Sequence, residues 1–72
     1  MSQSALLAAH ASGDHATLIR LYTEQANTEE ARGDIDAACF YLTHAYVFAL
    51  EQNHPAAADL RDRLVTQGRE AF

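Results

Sequence analysis

The 72-residue chain has no lysine and no tryptophan, a single cysteine, a single proline and three glycines. With Cys39 alone, no disulfide can form within the chain, and its apolar neighbours suit a reduced, cytosolic protein. All five basic residues are arginine, dispersed at Arg20, Arg32, Arg61, Arg63 and Arg69, against ten acidic residues and a formal charge of −5. Nucleic-acid binding needs a basic patch to neutralise phosphates, and the sequence offers none. An anionic membrane surface would repel the chain for the same reason. No apolar run approaches the roughly 20 residues that span a bilayer. The first thirteen residues have no basic segment before their short apolar run, so they do not read as a secretory signal. Three isolated glycines make no phosphate-cradling loop. The expectation is a soluble, cytoplasmic protein with neither nucleic-acid nor membrane partners.

The length suits one domain over residues 1–72. A chain this short buries only about 60% of the surface its unfolded state exposes. Apolar residues make up 49% of it, but fifteen of them are alanine, which brings little burial per residue. Alanine does favour helices and lets them approach closely. Further stability has to come from tight packing, self-association or a larger partner.

What the chain has is one long uninterrupted segment, Asp34 to Asn53, which holds most of the aromatic residues and no glycine or proline. On a helical wheel its polar strip is narrow: Asp36, Thr43, His44 and Glu51. Ile35, Ala38, Cys39, Leu42, Ala45, Tyr46, Ala49 and Leu50 lie on one side, with Tyr41 and Phe48 toward the other. A helix apolar over most of its circumference is a central one, packed on by several neighbours.

Around it the pattern predicts three more helices. Ser2 or Ser4 can cap a first, alanine-rich helix of under three turns, lying as a lid and ended by Gly13. Asp14 caps a second, over 15–32, with Leu18, Ile19, Leu21, Tyr22 and Ala26 on its apolar face. Gly33 and Asp34 repeat that junction before the central helix. Asn53 suits a left-handed helix end, His54 a cap, and Pro55 the start of a fourth helix reaching about Arg69. Its buried stripe is Ala57, Leu60, Leu64 and Val65; Asp59 and Arg63 form an i,i+4 pair opposite, and Phe72 is a tail or a core plug. Connections this short make consecutive helices antiparallel, so the expected fold is all-α with four antiparallel helices.

The segment Gly33-Asp34-Ile35-Asp36-Ala37-Ala38 resembles the turn and second-helix start of a tetratricopeptide repeat (TPR). Ala38 matches the small residue where that family's two helices touch, Leu42 stands at an aromatic position, and Ala45 matches a later alanine. Tyr22 and Ala26 fall on the interlocking positions of the first helix. Ile35 replaces the turn aromatic, Gln25 and Glu29 stand where Leu and Tyr are usual, and Pro55 arrives late. The resemblance covers one degenerate repeat, residues 19–55, and implies TPR-like helical hairpins that bind protein. It also implies a ligand groove on the outer face of the second helix, which here is Arg20, Thr23, Asn27 and Glu30. The carboxylate clamp of some family members needs Lys and then Asn four residues on; Thr23 and Asn27 supply half of it.

No two of His10, His15, His44 and His54 have helical ligand spacing, so no metal site is expected. Cys39 lacks the electropositive, open setting of a nucleophile and reads as core. No carboxylate is placed in an evident cleft, so no catalytic residue, cofactor or enzymatic activity is expected. The anomaly is Phe40 and Val47, seven apart in the middle of the polar arc and flanked by Tyr41, His44 and Phe48. Either the first or fourth helix covers them, or they form a contact patch with His44 at its rim, where charge would make association pH-sensitive. The sequence therefore reads as a small non-enzymatic protein–protein interaction module, an adaptor or a homo-oligomer such as a homodimer. The alternative is an accessory or regulatory subunit holding a small apolar ligand between the second, third and fourth helices, lined by Tyr22, Leu42 and Tyr46.

Overall fold

A computed structural model describes residues 3–69, which form four helices and no strand: α1 (Gln3–Ser12), α2 (His15–Ala31), α3 (Ile35–Glu51) and α4 (Ala56–Thr66). The junctions follow from local chemistry. At each helix end an N–H beyond a left-handed residue returns to a carbonyl of the last turn: Asp14 to Ala9, Asp34 to Glu29, His54 to Ala49 and Arg69 to Leu64, at 2.8–3.0 Å. Gly33 takes φ +83° and Asn53 φ +50°, conformations that most L-residues avoid. The same junctions start the next helix. Asp14 and Asp34 accept the N–H of Thr17 and Ala37 at 3.1 Å each, and Nδ1 of His54 accepts that of Ala56 at 3.0 Å.

Because Asp14 and Asp34 are twenty residues apart, α2 and α3 leave their caps in the same phase. Leu18, Ile19, Tyr22 and Ala26 are buried, and so are Ala38, Cys39, Leu42 and Tyr46 twenty positions later. The helices alternate in direction. His15 at the start of α2 stacks on Phe48 near the end of α3, and Glu30 near the end of α2 reaches Arg63 near the end of α4. Leu18, Leu42 and Leu64, one from each of α2, α3 and α4, are the largest fully buried side chains. α3 packs against α2 and α4, yet Phe40, Val47 and Leu50 stay exposed along it, so the central helix is not enclosed on every side.

The structure corrects several details. The first helix packs along α2 through Ala9 and does not lie across the domain as a lid; Leu7 stays exposed. Ser4 lies inside α1, and Ser2 and Phe72 fall outside the described residues. The fourth helix stops at Thr66 because Gly68, at φ +72°, closes it. Val65 leaves the buried stripe for solvent, and so does Leu50 on α3. Arg63 pairs at 3.7 Å with Glu30 across the helices and not with Asp59 on its own.

Candidate functional site: an uncovered strip on the central helix

Neither α1 nor α4 covers the anomalous residues of α3. Phe40 is 58% exposed, Leu50 48% and Val47 39%, and they line one stripe of the helix with Asp36, Thr43 and Glu51. The spacing 36, 40, 43, 47, 50 alternates four and three, the periodicity of a helix seam that meets another helix. Leu50 belongs to this stripe, and the alternation was the signal for it. On the wheel it borders both the stripe and the core, and the position of α4 decides which.

The stripe is backed by rings. Phe40 packs on His44 with centroids 4.5 Å apart and edge-on to Tyr41 at 5.3 Å. His44 then lies 5.2 Å from Tyr22, and Tyr22 stacks on Phe48 at 5.9 Å. His15 stacks on Phe48 at 5.7 Å, and His10 meets both Tyr22 and Phe48, with Nε2 at 3.2 Å from the Tyr22 hydroxyl. The exposed His10 and the half-buried His15 and His44 thus join one aromatic cluster; the short turn at Gly13 brings His10 and His15 to it. His44 is fixed in orientation, because its Nδ1–H donates to the Phe40 carbonyl at 2.9 Å. These contacts pack the back of the stripe while its front stays open. Thr43, His44, Val47 and Phe48 also surround a shallow apolar depression of about 210 Å³.

Both ends of the stripe are acidic. At one end Arg69, just past α4, places its guanidinium on the Asp36 carboxylate, and this hydrogen bond raises the Arg69 pKa further above its ordinary value. Glu51 marks the other end, in the last turn of α3.

The outer face of α2 is polar and internally satisfied. Arg20 pairs with Glu24 at 3.1 Å, the Thr23 hydroxyl donates to the Ile19 carbonyl at 2.7 Å, and Glu30 is held by Arg63. Asn27 is exposed. Of these four face residues only Glu30 borders the open groove of about 380 Å³ between α2 and α4, whose other walls are Asp62, Arg63, Thr66 and Gln67. Tyr22, Leu42 and Tyr46 line neither recess and are themselves buried. Cys39 is a buried free thiol. Among the described residues, no three of His, Cys, Asp and Glu converge on a metal-sized site, and no helix is long and apolar enough to cross a membrane. Set against family models, curated proteins and solved structures, the chain matches none.

Proposed function

We propose that the chain is a small, non-enzymatic protein–protein interaction module, that its contact surface is the α3 stripe, and that the occupant of that surface is a second copy of the chain. One observation carries the reading. The two long helices share a burial phase, yet where α2 places the exposed Arg20, Glu24 and Asn27, α3 places the exposed Phe40 and Val47 with the half-buried His44 between them. The α2 face is the ordinary solution for a solvated helix; the α3 face is the solution for a covered one. Burying a fully exposed Phe or Val contributes roughly 1.5–3 kcal/mol, and these two are about half exposed, so each side chain gains about half of that and the pair gives each copy about 1.5–3 kcal/mol. A polar α2 face offers such a stripe no complement, whereas another apolar stripe does.

The α2–α3 pair is read as a TPR-like hairpin. The Gly33-Asp34 turn and the burial of Ala26 and Ala38, the small residues assigned to the helix contact, support that reading. On the face Arg20, Thr23, Asn27 and Glu30, the groove of a TPR-type adaptor, Arg20, Thr23 and Glu30 are engaged in pairings within the chain while Asn27 is exposed, and this face ranks second as a contact surface. Sedimentation or light scattering across a wide concentration range tests the proposal. The parent should associate, Phe40→Asp should be monomeric, and Asn27→Asp should associate like the parent. A parent that stays monomeric throughout would refute self-association.

A further inference from the structure

Resting on that reading, we propose that Arg69 fixes the arrangement of the two copies, bridging Asp36 of its own chain to Glu51 of the second copy in an antiparallel α3–α3 contact. The stripe is close to palindromic. Asp36 and Glu51 lie equally far from a point between Thr43 and His44, and so do Phe40 and Val47. A two-fold axis through that point sets Phe40 opposite the second copy's Val47, beside the depression walled by Thr43, His44, Val47 and Phe48. At 1.5 Å per residue, the acidic ends are roughly 22 Å apart along the helix.

Charge selects the direction. A parallel pairing would gather both Asp36 and both Arg69 at one end and leave the two Glu51 facing each other uncompensated. The antiparallel pairing makes the ends identical, each with one Asp36, one Glu51 and one Arg69. Without Arg69 each end would bring two carboxylates together in a protein already at −5. Arg69 is placed for both: Nη2 holds Asp36, its side chain is still 43% exposed, and a guanidinium has five N–H donors in a planar fork suited to carboxylates.

The test uses the full chain and three variants: Glu51→Arg, Arg69→Glu and the double exchange, with dissociation constants from sedimentation. Glu51→Arg gives the sharpest sign. It moves the formal charge from −5 to −3, so general repulsion between copies falls and association should tighten if no specific bridge exists. The bridge predicts the reverse, a weakening of roughly 5- to 30-fold, since two attractive pairs become two repulsive ones. Arg69→Glu should weaken association as well, and the double exchange should bring it back to within about threefold of the parent. Both positions are exposed, and an arginine in the last turn of α3 favours the helix dipole, so circular dichroism should report a parent-like fold. Unchanged or tighter association of Glu51→Arg would overturn the bridge. If Phe40→Asp still dissociates the protein, the contact surface stands and only the arrangement falls. A parent that is monomeric at millimolar concentration would overturn both.

Discussion

The Arg69 guanidinium rests on the Asp36 carboxylate, tying the segment past α4 to the first turn of α3 across 33 positions of sequence. The contact is exposed, so solvent and salt screen it. A double-mutant cycle with Arg69→Ala and Asp36→Ala, followed by thermal unfolding at low protein concentration, should show a favourable coupling that fades at high salt. Additive single-variant effects would mean that the pair is not formed in solution.

The α2–α3 interface should be intolerant of added volume. Ala26 and Ala38 are fully buried, and a larger side chain at either has no solvent to enter. Ala38→Leu should cost about 1–3 kcal/mol in chemical denaturation. Melting like the parent would place residue 38 away from the contact.

Gly33 isolates a backbone effect. Its φ is +83°, and a Cβ built there would meet nothing within 4 Å, so Gly33→Ala introduces strain without a clash. The expected loss is about 1 kcal/mol, read from the denaturation midpoint, with the fold unchanged.

The α2 cap should contribute to acid sensitivity. Asp14 accepts the Thr17 hydroxyl at 2.6 Å and the Thr17 N–H at 3.1 Å, and these bonds lower its pKa below the ordinary aspartate value. A carboxyl whose folded pKa lies below its unfolded one stabilises the fold above the unfolded value. That contribution is lost as pH falls through the folded one. The midpoint of thermal unfolding should therefore drop less steeply below about pH 4 in Asp14→Asn than in the parent. Parallel pH profiles for the two proteins would contradict the assignment.

The helix boundaries were legible because the signals that set them are local. Gly13-Asp14, Gly33-Asp34 and Asn53-His54-Pro55 each carry a left-handed residue and a cap in consecutive positions, and the structure uses them in that way. The α2 core was legible because Leu18, Ile19, Tyr22 and Ala26 repeat at helical spacing on one face. Phe40 and Val47 stood out for the opposite reason, as apolar residues where the period called for polar ones. What escaped depends on neighbours distant in sequence. Arg63 chose Glu30 over Asp59, Leu50 faced outward, and Arg69 crossed to Asp36, all because of where α4 lies against α2 and α3. The ring cluster needed three elements placed at once, since His10, His15, Tyr22 and Phe48 come from α1, α2 and α3.

The central claim is that two copies meet through the α3 stripe, and cysteine cross-linking at Thr43 tests it most directly. A two-fold axis between Thr43 and His44 sets the two Thr43 side chains beside each other on one flank, within the short reach a disulfide requires. Thr43 is exposed, and the native Cys39 is buried and should not compete. Under mild oxidation Thr43→Cys should convert to a covalent dimer, whereas Asn27→Cys on the α2 face and the parent should not. A Thr43→Cys protein that stays uncross-linked, or cross-links no faster than Asn27→Cys, would contradict the account.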